Sequence, residues 1–238
     1  LEIIGCEMMG HQLKNYLKMS ESGEYGAFLS NGLMTSNIVF PSLSSEDTLS
    51  NITGNSGFKN TFTRTKTTGH LSFKFKHDAH KEMFKLENLK KYSSKIANIV
   101  ENIKTSEGII FIYSKYIYSG IVPLALALEY NGYTHYKSPL LNEDTMEPVL
   151  VGKNKAKYMI ISGTPDLGRN AYDDYLKIEN KNKNGEMIKI ILGTETAAEG
   201  LDFSNIREVH ILDPWYHLNK LEQIIGRLKD VYVRIRNK

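Results

Sequence analysis

Two short segments toward the end of the 238-residue sequence hold the residue types that could do chemistry. The first runs Ile191-Leu-Gly-Thr-Glu-Thr-Ala-Ala-Glu-Gly-Leu-Asp202-Phe. An apolar run delivers a loop of small and hydroxylated residues, closed by Gly200 and the carboxylate of Asp202. Small residues let a backbone come close to a ligand. Thr194 and Thr196 add hydroxyls, and the N–H groups of such a loop can meet phosphate oxygens. Many α/β strands end in a Gly-rich turn, so this loop taken alone is also compatible with a plain structural role.

The second segment follows Asp213-Pro214-Trp215 and reads Leu221-Glu-Gln-Ile-Ile-Gly-Arg227. On a helix, Leu221, Ile224 and Ile225 turn one face to a core, while Gln223 and Arg227 share another face one turn apart. Gly226 costs about 1 kcal/mol against Ala inside a helix, so a helix end or a close ligand must compensate. Taken alone, Arg227 beside Gly226 is also compatible with a bare helix C-terminal charge.

The elements that must position these residues are legible from about residue 89 onward. Leu89, Tyr92, Ile96, Ile99, Val100 and Ile103 recur at helical period. After Gly108, the unbroken run Ile109–Tyr113 predicts a strand buried on both faces. A helix is expected over 121–130, with Pro123 in its first turn and Asn131-Gly132 as its stop. Strands near His135 and over 158–162, 188–192 and 208–212 alternate with helices over 171–178 and 218–225. Val231, Val233 and Ile235 suggest a last strand. This alternation implies an α/β fold with a doubly wound parallel sheet, its site at the carboxyl ends of the strands.

Residues 1–88 look different and are expected to form an accessory or insertion region leading into a domain over 89–238. A short helix is expected over 7–17. From about 20 to 70, Ser, Thr, Asn and Gly dominate around short apolar islands such as Ile38-Val39-Phe40, which reads as loops or a connector.

Hydrophobic residues make up 41% and charged residues 24% of the chain, the balance of a globular protein with a real core. A net charge of +3 is too small to argue for a polyanionic partner without motifs. The single cysteine, Cys6, excludes an internal disulfide and a thiolate zinc cluster, and fits a reducing compartment. No apolar run reaches the ~18–20 residues of a membrane span. His77 and His80 are three apart without an evident third ligand, and the lysines of 181–183 read as a solvated loop. The chain opens on Leu1, as a piece of a longer protein would.

Taken together, the segments resemble the conserved motifs of superfamily 2 helicases. Motif V of that family, Thr-x-x-Ala-x-x-Gly-x-Asp, is matched by Thr194, Ala197, Gly200 and Asp202. Motif VI, Gln-x-x-Gly-Arg, is matched by Gln223, Gly226 and Arg227. Ile109-Ile-Phe-Ile-Tyr-Ser114 resembles motif IV, and Ile160-Ile-Ser-Gly163 sits where these proteins have another strand facing nucleic acid. The match covers about residues 90–227, the second RecA-like domain. Lys91-Tyr-Ser-Ser-Lys95 and Glu199-Gly-Leu-Asp-Phe203 resemble the branch found in large cytoplasmic DNA viruses. That branch includes the poxvirus early transcription factor small subunit, nucleoside triphosphate phosphohydrolase I and giant-virus relatives.

The resemblance implies that ATP with magnesium is held mainly by a first RecA-like domain, since neither a phosphate loop nor an acidic magnesium box occurs in this sequence. It implies an arginine finger at Arg227 with Gln223 beside it, and nucleotide contacts from Gly200, Asp202 and Gly226. Tyr113, Ser114, Lys115, Ser162, Gly163, Thr194, Glu195 and Thr196 would face a DNA or RNA backbone. Implied partners are that nucleic acid, the first RecA-like domain and an RNA polymerase or other viral transcription protein, in a cytoplasmic virus factory or virion. The chain by itself would then be inactive. One departure stands out: where the family has a second arginine three residues after Arg227, this sequence has Asp230. Residues lacking between Arg227 and Leu228 would produce so abrupt a join. The alternative is a non-catalytic RecA-like module that binds nucleic acid or a transcription partner.

Overall fold

The computed structural model describes residues 2–21, 25–42, 44, 48–67, 70–168, 170–195 and 202–213. The chain opens with helices α1 (Gly10–Glu21), α2 (Tyr25–Asn37), α3 (Leu49–Ile52) and α4 (Gly54–Thr61). An antiparallel hairpin follows, β1 (Phe62–Thr67) against β2 (His70–Phe75). A 3-10 turn (Asp78–Phe84) leads to α5 (Leu86–Tyr92) and α6 (Ser94–Asn102), then to β3 (Ile109–Tyr113). A π-turn (Ile117–Ile121) runs into α7 (Val122–Tyr130), followed by β4 (Thr134–His135) and the small hairpin β5 (Leu150–Val151) and β6 (Asn154–Lys155). The remaining described elements are β7 (Lys157–Ile161), α8 (Ala171–Leu176), a 3-10 turn (Glu179–Lys181), β8 (Ile190–Gly193) and β9 (Ile206–Ile211).

Five strands form one parallel sheet in the order β4-β7-β8-β3-β9. Successive strand residues point to opposite faces, and the two faces here enter two different cores. Ile110, Ile112, Tyr158, Ile160, Ile190 and Leu192 join the larger core with α6 and α7. Ile109, Phe111, Tyr113, Met159, Ile161 and Ile191 join the smaller one with Ala171 and Tyr175 of α8 and with Phe203. Both faces being covered explains why β3 is apolar at all five positions. Helix α7 is buried all round, as its Val-Pro-Leu-Ala-Leu-Ala-Leu sequence requires. The mixed α/β sheet flanked by helices is the expected fold class.

The stretch expected as loops over 20–70 is instead largely helical, and it ends in the hairpin. Its apolar islands converge: Ile38, Phe40, Phe58 and Phe62 are buried with Phe73, Phe75 and Phe84 in the same core that covers the sheet. Phe58 packs edge-on against Phe73, with ring centroids 5.1 Å apart, and Phe62 stacks on Phe84 at 6.0 Å. Aromatic pairs of this kind add about 0.5–1.5 kcal/mol beyond their burial. Polar composition misled because few but large side chains supply the core. The larger core therefore runs unbroken across residue 88. The single helix expected from Leu89 to Ile103 is also broken, because the Ser93 hydroxyl accepts from the Ile96 N–H and caps α6. The helix expected over 171–178 ends at Leu176.

Glu129 ties the accessory hairpin to this framework. Its buried carboxylate accepts from the Leu140 N–H (2.9 Å), the Leu141 N–H and the Tyr158 hydroxyl (2.9 Å). Burial pushes this carboxyl up, and those hydrogen bonds oppose the shift. Leu140 and Asn142, so held, bond Phe73 of β2: Phe73 N to Leu140 O at 2.7 Å and Asn142 N to Phe73 O at 2.8 Å. Glu129→Ala strands three buried donors and is expected to cost about 3 kcal/mol, read as a lowered urea midpoint. Glu129→Gln, which keeps one acceptor oxygen, should cost less.

His135 at the end of β4 makes stability depend on pH. Its Nδ1 accepts from the Ser138 N–H (3.3 Å), and burial, aided by the charges of Lys137 and His70, holds its pKa down at about 4. Between the unfolded imidazole's ordinary value of about 6.5 and that depressed value, the unfolded state binds more protons. Stability contributed by the neutral ring is thus present at pH 7 and lost as pH falls toward 4, by about 3 kcal/mol. Thermal midpoints at pH 7 and pH 5 should differ less in His135→Gln than in the natural sequence.

Candidate functional site

The sheet register assembles one edge. Tyr113 of β3 pairs with Gly193 of β8, and Gly193 with Ile161 of β7. The next residues along, Ser114, Thr194 and Ser162, therefore stand in a row across the carboxyl ends of three neighbouring strands. The ladder continues through them: Ser114 N donates to Gly193 O (3.1 Å) and Thr194 N to Ile161 O (3.2 Å). A strand-end row of hydroxyl residues beside small residues is where an open parallel sheet binds its ligands.

All three are buried, and two hydroxyls have intramolecular work. Ser162 Oγ donates to Leu167 O and accepts from Thr164 N, which folds the following loop back on its strand. Gly168 completes that turn at φ 89°, where a Cβ would stand 1.9 Å from Ile160 O. The Ser114 hydroxyl donates to Asp213 Oδ1 at 2.5 Å. Gly120 lets the π-turn close over it, since a Cβ there would meet Ser114 Oγ at 2.0 Å. Tyr113 is buried in the smaller core. Lys115 and Gly163 are exposed, and Glu195 is half-buried. Of the residues expected to face nucleic acid, Lys115 and Gly163 give this edge its exposed surface and Glu195 part of it, while Tyr113, Ser114, Ser162 and Thr194 shape it from beneath.

Asp213, just past β9, is a hub that sequence inspection missed. It accepts from Ser114 Oγ, from the Lys115 N–H (2.7 Å) and from Asn37 Nδ2 (2.9 Å). Burial pushes its carboxyl up, and these hydrogen bonds with the nearby Lys95 charge pull the other way. Lys95 donates to Ser36 Oγ (2.9 Å), Asn37 Oδ1 (3.1 Å) and Leu212 O (3.0 Å). Burial pushes its pKa down, opposed by Asp213. Gln12 closes the assembly, donating to Thr35 O and Ser36 O and accepting from Ser94 N. The end of α2 is thereby fixed to the loops that leave β3 and β9. The sequence signals that touched this hub were the Lys91–Lys95 segment and the Ser114–Lys115 pair, neither of which pointed to Asp213.

Asp202 and Phe203, the first described residues after Glu195, sit at an aromatic clamp. Phe203 packs on Phe111, Tyr172 and Tyr175 with centroids 5.4–5.7 Å apart. The Tyr172 hydroxyl donates to Asp202 O at 2.7 Å, and Glu179 Oε1 accepts from Ser204 N at 3.0 Å. Asp202 itself is exposed beside this clamp. Thr196, Gly200, Gln223, Gly226 and Arg227 lie outside the described residues, as do the expected elements over 218–225 and 231–235 and the join after Arg227. Among the described residues, no three His, Cys, Asp or Glu side chains converge to hold a metal ion, and no helix is long and apolar enough to cross a membrane.

Residues 142–229 match the family model for the helicase conserved C-terminal domain. The chain is 31% identical over 216 residues, 89% of its length, to a protein described as a helicase of Invertebrate iridescent virus 3. It is 32% identical over 146 residues, 60% of its length, to one described as an ATP-dependent RNA helicase of Acanthamoeba polyphaga mimivirus. To the termination factor NPH-I homolog of African swine fever virus it is 29% identical over 164 residues, 57% of its length. The chain spans only 20%, 23% and 22% of those proteins, respectively. Residues 142–229 thus carry the match to the helicase conserved C-terminal domain, and the described part of that stretch supplies strands β7, β8 and β9 of the parallel sheet, in a chain similar to helicases and termination-factor homologues of DNA viruses.

Proposed function

We propose that this chain is the second RecA-like half of an ATP-dependent nucleic-acid translocase or helicase. The observation that carries the reading is the row of Ser114, Ser162 and Thr194 at one sheet edge, with Lys115 and Gly163 exposed and Glu195 half-buried beside it. Three motif segments far apart in sequence meet there. In this reading the edge binds the sugar-phosphate backbone of DNA or RNA, and Thr196 extends it. Contacts to phosphates rather than bases make such binding largely independent of sequence and sensitive to salt.

ATP lies between this half and a first RecA-like domain that supplies the phosphate loop and holds the magnesium. Gly200, Asp202 and Gly226 line the nucleotide from this side, Gln223 orients the reacting region, and Arg227 neutralises charge that develops on the transferred phosphoryl group. Asp202 fits that role in being exposed and held by its backbone to Tyr172. Relatives named as an ATP-dependent RNA helicase and a termination-factor homolog support the motor and a place in viral transcription, beside an RNA polymerase in the virus factory. Residues 89–238 form the functional half and 1–88 its accessory part.

The chain should bind single-stranded oligonucleotides without sequence preference, tighten as salt is lowered, and hydrolyse no ATP alone. Fluorescence anisotropy across a salt series measures the first two. Sequence-selective binding, or none at low salt, would contradict the reading. The alternative, a non-catalytic binding module, is favoured by Asp230 standing where the family has a second arginine.

A further inference from the structure

The accessory hairpin reaches the same sheet edge, and its outer strand has an unusual surface. Strand β1 buries only Phe62; Thr63, Arg64, Thr65, Lys66 and Thr67 are all exposed. Among the described residues it pairs only with β2, whose other side is bonded at Phe73 to Leu140 and Asn142. Neither strand contains a carboxylate, and together they carry Arg64, Lys66 and Lys74. At the end of β2, the Glu143 carboxylate is engaged by Phe75 N and Lys81.

Arg64 and Lys66 lie two apart and so point to one side of the strand. Both reach the same group, Asp166, at 2.7 Å and 2.9 Å. Asp166 belongs to the loop that follows Ser162 and Gly163 at the carboxyl end of β7. The side chains of Arg64 and Lys66 are 46% and 60% exposed, against 27% for Asp166. Exposed ion pairs of this kind contribute about 0–1 kcal/mol, so they give the fold little. Two cations on one carboxylate also leave a net positive charge. An arginine fork and a lysine ammonium around one anionic oxygen pair are equally suited to a phosphodiester.

We propose that Arg64 and Lys66 of β1 form a further docking point for the sugar-phosphate backbone of a nucleic-acid strand, with Asp166 occupying the phosphate's place in the free protein. This rests on the nucleic-acid reading of the neighbouring edge and extends it onto the accessory region. Asp166 then acts as a competitor that a phosphate displaces, so its removal should strengthen binding.

The test is anisotropy of short single-stranded DNA and RNA oligonucleotides with the chain over a salt series. Arg64→Gln with Lys66→Gln should weaken binding roughly tenfold at low salt and flatten the log–log salt slope by about 1.4. Asp166→Asn should tighten binding about threefold. These substitutions are on the surface, and unchanged thermal midpoints would show the variants folded. An unaltered slope in the double variant, or weaker binding in Asp166→Asn, would overturn the proposal. If Lys115→Ala flattens the slope while the double variant does not, only the hairpin assignment falls. If the natural sequence binds neither polymer at low salt, the underlying nucleic-acid reading falls with it.

Discussion

Arg227→Ala in the full-length parent protein is expected to lower nucleic-acid-stimulated ATP turnover by ~10³–10⁵, the range associated with an arginine finger. The guanidinium contributes where negative charge accumulates on the phosphoryl oxygens during transfer, not where ATP is merely held. The loss should therefore fall on kcat, with nucleic-acid affinity changed little. Arg227→Lys should recover only part of the rate, because a point charge does not reproduce the planar two-pronged donor. Steady-state hydrolysis with saturating nucleic acid measures this directly. Equal turnover in variant and natural protein would remove Arg227 from the site.

Asp213→Ala should produce a large loss of stability, about 3 kcal/mol, from the hydrogen bonds its buried carboxylate accepts. The substitution strands the Lys115 N–H and the Asn37 amide, leaves the Ser114 hydroxyl only the longer contact to Tyr116 O, and takes from the half-buried Lys95 its nearby opposing charge. Asp213→Asn keeps one acceptor oxygen and should cost less. Since the hub fixes the loop that carries Lys115, a partly destabilised Asp213→Asn protein should also bind oligonucleotides more weakly. Chemical denaturation gives the first quantity and anisotropy the second. An Asp213→Ala protein as stable as the natural one would mean that the hub does not hold the two loops together.

The parts of this architecture that were legible in the sequence are those whose burial is periodic. Ile109–Tyr113 announces a central strand because covered faces on both sides demand an apolar residue at every position. Val122–Tyr130 does the same for a buried helix, with Pro123 and Gly132 marking its ends. The accessory region hid its core because Phe40 comes from the segment after α2 and Phe58, Phe62 and Phe73 from α4, β1 and β2, and apart from Phe58 on Phe62 their contacts join separate stretches of sequence. The break at Ser93 was invisible for a different reason. The apolar phase from Leu89 through Ile96 to Ile103 survives it, while a hydroxyl interrupts the backbone. Asp213 was illegible because its partners Asn37 and Ser114 are 176 and 99 residues away. The resemblance to helicase motifs located the sheet edge through Ser114, Ser162 and Thr194. It did not separate residues that line the edge from those that support it from below, which takes burial and hydrogen bonds to decide.

The most direct test of the motor assignment is ATP hydrolysis by the full-length parent protein, with and without single-stranded DNA or RNA. The account predicts turnover that rises on addition of at least one of the polymers. No turnover with either polymer, from a parent that binds ATP and nucleic acid, would contradict a motor and leave a RecA-like binding module in its place.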